Sequence, residues 1–252
     1  IVEGIENTNY KLICNGNPYI LTIFEKRVKG EDIPFFIELK LFLNHHLFKC
    51  PLPMMDKNNK YINSIKNKKA VIISFIEGKK IEIPNKNECN EVGKMIGNLH
   101  NLTVNFHKKR KNSLDINEWK NLLSKCEYSK AEDFEKIISD LKIEIDYLES
   151  CWPKNLPSGI IHADLFKDNI FFINEKITGV IDFYFSCNHF FLYDISIVVN
   201  DWCFENNGKV FKEEFFNSLI AGYNSIRVLS EKERNSFNII LRAAAVRILI
   251  TR

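Results

Sequence analysis

The sequence lacks long apolar runs. No stretch approaches the length of about 18 apolar residues that spans a bilayer, and no basic segment followed by an apolar one forms a leader near the start. We therefore expect no contact with a membrane and a cytoplasmic location. The sequence also lacks an initial methionine, since it opens at Ile1, and it stops at Arg252 inside an apolar helical pattern. This predicts that both ends are truncated.

Paired cysteines and an excess of charge of one sign are lacking too. The seven cysteines are an odd number and no two lie closer than sixteen residues, so neither a disulfide framework nor a zinc knuckle is expected. Lysine and arginine total 35 against 32 acidic residues, a net charge of +3. The densest basic stretch, residues 107–111, has no interleaved aromatics and is expected to be a solvated turn. The composition therefore gives no support for a nucleic-acid partner.

The first third of the chain has the pattern of a small β-rich unit. Two runs between Thr8 and Phe24 are rich in β-branched and aromatic residues and flank an Asn-Gly-Asn-Pro turn, which predicts a hairpin. A helix is expected over residues 32–45. The Asn- and Lys-rich residues 57–69 are typical of a surface connection, and the apolar run 70–76 predicts a buried strand.

Beyond Pro84 the apolar spacing is helical, interrupted by short strands between residues 159 and 181. Ser230 and Glu233 form a capping box before the last helix. This change of pattern places the boundary between two units near residue 78. We predict a nucleotide-binding lobe over residues 1–78 and a catalytic and substrate lobe over residues 79–252.

Polar residues with a spacing suited to phosphoryl transfer follow one of the short strands. This chemistry needs magnesium at the phosphates, positive charge near them and an acceptor oxygen held in line. His162, Asp164 and Asn169 form the pattern H-x-D-x4-N, which supplies a base and, five residues later, an amide oxygen. Asp182 ends a further apolar strand eighteen residues after Asp164 and supplies a second metal ligand.

The context of this pattern adds weight to it. The spacing H-x-D-x4-N alone would arise by chance in roughly one chain of this length in thirty. Here the loop lies between two strands, a strand-terminal aspartate follows, and the hairpin, helix and strand upstream suit a nucleotide-binding lobe. Together these features indicate a small-molecule kinase.

These segments resemble a known family. HADLFKDN at 162–169 and GVIDFYF at 179–185 are similar to the catalytic and metal loops of the aminoglycoside phosphotransferase-like kinases. Within that group the chain most resembles the homoserine kinases, in the segments GIENTNY at 4–10, DIPFF at 32–36 and YDISIVVNDWCFE at 193–205. The resemblance covers nearly the whole chain. It implies an α+β, two-lobe protein-kinase-like fold, with a small β-rich N-terminal lobe and a larger, mainly helical C-terminal lobe.

The resemblance also implies an activity. It is transfer of the γ-phosphate of ATP, with Mg²⁺, to the hydroxyl of L-homoserine, which yields O-phospho-L-homoserine in threonine biosynthesis. By position, Asp164 matches the catalytic base, and Asn169 and Asp182 match the magnesium ligands. His162 and Asp194 are expected to support the catalytic loop structurally.

The nucleotide side departs from the family pattern. Relatives often carry a lysine or arginine in the strand where this chain has Thr22. Lys26 or Arg27 is expected to substitute for that cation, with Glu38 on the following helix as its partner. Glu77, at the end of the apolar strand, falls where backbone groups would meet adenine.

An amino-acid substrate requires groups of opposite charge for its carboxylate and its ammonium. Arg242 and Arg247 are candidates for the carboxylate, because a bidentate arginine reads that group best. Asp201, Trp202 and Glu205 are candidates for the ammonium side and a wall of the site.

Two other functions stay open. One is a kinase of the same fold with a choline, methylthioribose or aminoglycoside-like acceptor. The other is a non-catalytic nucleotide-binding protein, favoured by Thr22 and by a glycine loop reduced to Gly4. Asp164, Asn169 and Asp182 favour a catalyst, because a binding module has no need of a base.

Overall fold

The computed structural model of the chain describes residues 2–3, 7–25, 28–126, 134–206 and 208–251. An antiparallel sheet with one helix forms the N-terminal part, and helices dominate the remainder. No helix of the described part is long and apolar enough to cross a membrane. All seven cysteines are free thiols.

The N-terminal part contains a six-stranded sheet in the order β1-β2-β3-β6-β4, with β5 also paired to β6. Its elements are β1 (Val2–Glu3), β2 (Asn7–Cys14), β3 (Asn17–Phe24), α1 (Ile33–His45), β4 (Pro53–Met54), β5 (Ile62–Ile65) and β6 (Lys68–Ser74). The predicted hairpin, helix and strand are therefore confirmed.

The β2–β3 hairpin closes through a two-residue turn. Asn15 and Gly16 both have positive φ, 50° and 78°, and Cys14 pairs directly with Asn17. A turn with positive φ at both central residues matches the right-handed twist of the strands and favours Asn-Gly. The local sequence therefore sets the register of β2 on β3.

Helix α1 begins at Ile33, and Pro34 lies in its first turn, where proline is tolerated. The Asp32 side chain does not cap the helix; its Oδ2 accepts a hydrogen bond from Arg110 Nε at 2.9 Å. Asp32 therefore joins the start of α1 to the C-terminal part of the chain.

Residues 57–69 lie at the surface, as predicted, but they form strands and not a plain connection. β5 and the start of β6 lie in this segment and pair through a turn in which Lys66 and Asn67 both have positive φ. The strand was hidden because β5 is an edge strand with largely exposed side chains, so no apolar pattern marks it.

The C-terminal part contains six helices and three two-stranded sheets among the described residues. Its elements are α2 (Lys86–Thr103), α3 (Ile116–Ser124), α4 (Phe134–Ser150), β7 (Ser158–Ile161), β8 (Ile170–Ile173), β9 (Lys176–Val180), β10 (Cys187–Phe190), α5 (Phe191–Trp202), β11 (Phe204–Glu205), β12 (Val210–Phe211), α6 (Glu213–Asn224) and α7 (Glu231–Thr251). β7 pairs with β10, and β8 pairs with β9.

Helix α5 lies at the centre of this part, and ten of its residues are buried. Helix α7 packs along it. The predicted capping box at the start of α7 is confirmed, because Ser230 N donates to Glu233 Oε2 at 2.9 Å and Glu233 N donates to Ser230 Oγ at 3.3 Å. The strand pairs β7–β10 and β8–β9 thus flank residues 162–169. Helices α5 and α7 contact this segment.

Candidate active site

The loop that follows β7, residues 162–169, carries Asp164. Helix α5 holds this loop through the side chain of Asp194. Both carboxylate oxygens of the fully buried Asp194 accept backbone hydrogen bonds, from His162 N at 2.8 Å and from Ala163 N at 2.7 Å. Ala163 has a φ of +66°, a left-handed conformation that costs about 1–2 kcal/mol for a residue with a Cβ. The two hydrogen bonds to Asp194 offset this strain and turn the chain so that Asp164 follows.

Side chains of the same loop and of α7 hold Asp164. Asn169 Nδ2 donates to the Asp164 backbone oxygen at 2.8 Å and to its Oδ2 at 3.2 Å. Arg247 on α7 donates from Nη1 to Asp164 Oδ1 at 3.5 Å and from Nη2 to the Ala163 oxygen at 2.9 Å. The Asp164 side chain is only 10% exposed, so its carboxylate is oriented mainly by the protein.

His162 joins this loop to the segment after β9. Its Nε2 lies 2.9 Å from the Ile181 oxygen, and its Nδ1 accepts a hydrogen bond from Asp164 N at 3.2 Å. Burial lowers the pKa of His162 despite the nearby carboxylates of Asp194 and Asp164. A neutral ring with the proton on Nε2 satisfies both contacts.

Asp182 lies directly after this junction. Ile181 N donates to the Asn169 oxygen at 2.9 Å, and the Ile181 oxygen contacts His162 Nε2. Both backbone groups of Ile181, the residue before Asp182, are therefore bonded to the loop 162–169. Asp182 has a left-handed backbone, with φ of 62°, and begins a 3-10 turn over Phe183–Phe185. The structure therefore brings Asp164, Asn169 and Asp182 to one place, as their spacing predicts.

The oxygen donors of this place suit a hard divalent cation. Asn169 Nδ2 is turned toward Asp164, which leaves its amide oxygen for a ligand, and Asp182 adds a carboxylate. Within the described ranges no group of three or more His, Cys, Asp or Glu side chains could hold a metal alone. Magnesium fits such a site, because it is usually held by one or two carboxylates together with phosphate and water oxygens.

A series of buried hydrogen bonds connects Asp194 to three further polar side chains. His100 Nε2 lies 3.3 Å from Asp194 Oδ2, His100 Nδ1 lies 2.9 Å from Tyr223 Oη, and Arg227 Nη1 donates to Tyr223 Oη at 2.8 Å. Burial lowers the pKa of His100, although Asp194 opposes this. With His100 neutral, each donor meets an acceptor.

This series of hydrogen bonds ends at the capping box of α7. Arg227 Nη1 also donates to Glu233 Oε1 at 2.9 Å, and Glu233 is fully buried. Helix α7 is therefore connected to the loop 162–169 at two points. Its first turn is connected through the hydrogen bonds that end at Asp194, and Arg247 contacts the loop directly. Sequence reasoning identified Asp194 and the capping box but did not connect them.

Strand β3, where relatives often carry the cation, contains no lysine or arginine. Thr22 on β3 is 1% exposed and donates from Oγ1 to Asn9 Oδ1 at 2.8 Å. The predicted substitutes, Lys26 and Arg27, lie outside the described residues. In the described part of the chain, the Glu38 carboxylate pairs with Lys108 Nζ at 2.6 Å. Lys108 lies in the loop after α2 and not on the sheet.

The segment proposed to meet adenine is held closely to β8. Thr178 Oγ1 donates to the Glu77 oxygen at 2.6 Å, and Lys79 and Phe172 exchange two backbone hydrogen bonds of 3.0 and 2.9 Å. Gly78 has a φ of +127°, and a Cβ there would lie 2.8 Å from the Phe172 oxygen. Only glycine suits this position.

Sequence reasoning did not identify Lys40, the buried lysine of α1. It lies on the inner face of α1, is 2% exposed, and donates from Nζ to Tyr184 Oη at 3.3 Å. A signal was present in the helical spacing, because Phe36, Lys40 and Leu43 share one face and the other two are apolar.

A cavity of about 570 Å³ opens beside the catalytic loop. Lys167 from the loop and Asp201 and Trp202 from the end of α5 line it, together with Glu205. Lys167 N donates to Asp201 Oδ2 at 2.7 Å. The Trp202 indole N–H is buried without a hydrogen-bond partner in the part of the chain that the structure describes.

The two arginines predicted to read a carboxylate do not line this cavity. Arg247 is 3% exposed and contacts Asp164 and Ala163. Arg242 forms a bidentate pair with Glu144 on α4, at 2.8 and 2.5 Å, and lies over the Tyr147 ring. They separate because residues five apart on a helix point to different faces.

Comparison with known proteins adds relatives and structural neighbours. Residues 1–229 match the phosphotransferase enzyme family. A homoserine kinase of Agrobacterium fabrum is 42% identical over 253 residues, which cover 100% of this chain and 78% of the relative. A homoserine kinase of Rhizobium johnstonii is 38% identical over 252 residues, with the same coverage.

Two solved structures share the fold. An amicoumacin kinase in complex with AMP-PNP and Ca²⁺ has a TM-score of 0.81 at 18% identity and covers 99% of this chain and 78% of its own. A spectinomycin phosphotransferase in complex with ADP and spectinomycin has a TM-score of 0.71 at 13% identity, covering 99% of this chain and 80% of its own. The predicted α+β, kinase-like fold is thereby confirmed.

Proposed function

The chain belongs to the phosphotransferase enzyme family, and from that premise we propose that it is a homoserine kinase, which phosphorylates the hydroxyl of L-homoserine with ATP and Mg²⁺ in threonine biosynthesis. The observation that carries this proposal is the identity of 42% along the whole chain to a protein named homoserine kinase. The arrangement of Asp164, Asn169 and Asp182 supports it, because these are the groups that phosphoryl transfer requires.

In the proposed reaction the homoserine hydroxyl oxygen attacks the γ-phosphorus of ATP. A new oxygen–phosphorus bond forms, the bond to the bridging oxygen breaks, and ADP leaves. The hydroxyl proton passes to the carboxylate of Asp164. Because Asn169 and Arg247 hold that carboxylate, little reorganisation is needed when the substrate binds.

Asn169 and Asp182 are proposed to hold the magnesium ion through their side-chain oxygens. The ion, when bound, neutralises charge on the phosphates and orients them. The two residues can act together because Ile181, next to Asp182, is hydrogen bonded to the backbone of Asn169.

Arg247 is assigned here to the support of the catalytic loop. Its guanidinium contacts both the strained Ala163 and the proposed base, so it links the two residues whose geometry decides where the proton goes. The substrate carboxylate therefore needs a different cation.

The cavity beside the catalytic loop is the proposed homoserine site. Asp201 and Glu205 supply carboxylates for the ammonium, Lys167 supplies a cation for the carboxylate, and the Trp202 indole N–H is a donor without a partner among the described residues. Asp201 lies 3.9 Å from Lys167 Nζ and Glu205 lies 3.5 Å from Lys212 Nζ, so the bound substrate exchanges these ion pairs for its own. Lys167 lies three residues after Asp164, which places the cavity next to the base. Such paired charges select a small zwitterion over a neutral alcohol.

Replacing Glu205 with Gln tests the ammonium side of this site. We expect KM for homoserine to rise about tenfold, since a hydrogen bond to a charged group is lost, while kcat and KM for ATP stay near wild type. Steady-state kinetics with each substrate varied in turn measures this. Glu213→Gln, an exposed change on α6, is the matched control, and an unchanged KM for homoserine in the Glu205 variant would exclude its role.

The activity itself is tested by ATP consumption with a panel of acceptors. We expect turnover with L-homoserine and far less with choline, methylthioribose or an aminoglycoside. Turnover with only one of those acceptors would assign a different kinase of the same fold. Nucleotide binding without turnover on any acceptor would favour a non-catalytic protein.

A further inference from the structure

Lys40 is a buried lysine on α1, 2% exposed. It lies on α1 between Phe36 and Leu43, and all three side chains are buried. Its Nζ lies 4.6 Å from the centre of the Tyr184 ring and donates to the Tyr184 hydroxyl. The amine is therefore held by one aromatic side chain.

No carboxylate in the described ranges forms an ion pair with this amine. The other lysine contact to α1 is different, since Lys108 pairs with Glu38 on the exposed side of the helix. A buried ammonium without an opposite charge destabilises a folded protein, and a residue of similar volume without charge would not. Such a cation is expected where an anion is to be bound.

Tyr184 connects Lys40 to the proposed metal ligand. Tyr184 lies two residues after Asp182 in the same 3-10 turn. Its ring packs edge-on against Phe24 at the end of β3, with 5.1 Å between centroids, and against Phe36 at 5.6 Å. The Lys40 amine therefore lies where the sheet, α1 and the Asp182 turn meet.

The sheet itself offers a neutral pair at this junction. Thr22, two residues before Phe24 and on the same face of β3, is hydrogen bonded to Asn9. Because alternate residues of a strand share a face, Phe24 and Thr22 lie on the same face of β3, and Phe24 contacts Tyr184 there. Lys11 on β2 shares this face of the sheet, but it is exposed and its Nζ lies over the Phe75 ring at 4.6 Å. The buried cation beside Tyr184 comes, among described residues, from α1 and not from β3.

We propose that Lys40 is a positioning residue of the nucleotide site, which supplies from α1 the positive charge that Thr22 does not supply from β3. It holds the Asp182 turn through Tyr184 and stabilises the bound polyphosphate through its field. This inference rests on the proposed function, because it assumes an adenine nucleotide with a divalent cation beside Asp182.

The test compares Lys40→Met with wild type in two measurements that need no turnover. Calorimetric titration of ADP with Mg²⁺ is expected to show affinity weakened about tenfold, the effect of one charge roughly 10 Å from a phosphate at an effective dielectric constant of about 20. The Tm of the nucleotide-free protein is expected to rise by about 2–4 °C, because an unpaired buried charge is removed.

Three further variants separate charge from packing. Lys40→Arg keeps the charge and should retain most of the affinity. Tyr184→Phe keeps the ring and should change affinity less than Lys40→Met does. Lys108→Met removes the same charge from the loop that contacts Glu38 on α1. This variant should leave the affinity for ADP unchanged.

The outcomes are distinct. A Lys40→Met protein that binds ADP as wild type does, or whose nucleotide-free Tm falls, overturns the inference and leaves the proposed function in place. A wild-type protein that binds no adenine nucleotide overturns both.

Discussion

Replacing Asp164 with Asn is expected to lower kcat by about 100- to 10,000-fold, the contribution typical of a positioned general base. The amide has nearly the same shape but cannot accept the hydroxyl proton. Asn169 keeps its hydrogen bond to the Asp164 backbone oxygen, so the loop should retain its conformation. ATP affinity should change by less than about threefold, because the change acts mainly in the transition state.

The measurement is single-turnover phosphoryl transfer together with direct titration of the nucleotide. Asp182→Asn is the matched comparison, since it replaces a carboxylate eighteen residues away by the same amide. That variant should instead weaken nucleotide binding that depends on magnesium. Near wild-type kcat in the Asp164 variant would remove Asp164 from its role as base.

Replacing Asp194 with Asn is expected to be the most destabilising of these substitutions, by about 3–5 kcal/mol. The Asp194 carboxylate accepts the backbone N–H groups of His162 and Ala163 and contacts His100 Nε2. An amide has one acceptor oxygen, so its NH₂ group would face one of these donors. That donor would then be buried without an acceptor.

Burial alone would raise the pKa of Asp194, but the hydrogen bonds that its carboxylate accepts from His100 and from the backbone lower the pKa overall. Asp194 is therefore ionised in the folded protein, and its loss removes a charge that its surroundings stabilise. Denaturation with urea measures the effect. Ser196→Ala is a control on the same helix, because the Ser196 hydroxyl bonds only within α5. Equal unfolding midpoints for the wild type and the Asp194 variant would show that the carboxylate is dispensable.

The same substitution should also reduce activity more than lost stability explains. In the Asp194→Asn variant only one of the His162 and Ala163 N–H groups keeps an acceptor on residue 194. The turn that holds the left-handed Ala163 therefore loses a contact, and Arg247 holds the Ala163 oxygen with less support. Activity measured well below the unfolding temperature distinguishes this local effect from unfolding.

Much of the site followed from local pattern. The spacing of His162, Asp164 and Asn169 in one loop and the strand before Asp182 identified the residues that the structure brings together. The Asn-Gly turn and the start of α1 at Pro34 were equally readable. Each depends on backbone geometry or hydrogen bonds within a few residues, which the neighbouring side chains largely determine.

Partners across the chain were not readable in this way. Glu38 was expected to pair with Lys26 or Arg27, which lie outside the described residues; in the described part of the chain it pairs with Lys108, seventy residues away. Arg247 was a candidate for the substrate and instead contacts Asp164, eighty-three residues before it. β5 was missed because an exposed edge strand has no apolar period.

The kind of chemistry and the residues proposed for it could be inferred from local sequence, because a base, an amide oxygen and a strand-terminal carboxylate recur at set intervals along one loop and one strand. The groups around them became visible in the folded chain: Asp194 and Arg247 contact the strained Ala163, and Lys40 contacts Tyr184. Those contacts join residues far apart in the chain, and which of them form depends on how α1, α5 and α7 pack together.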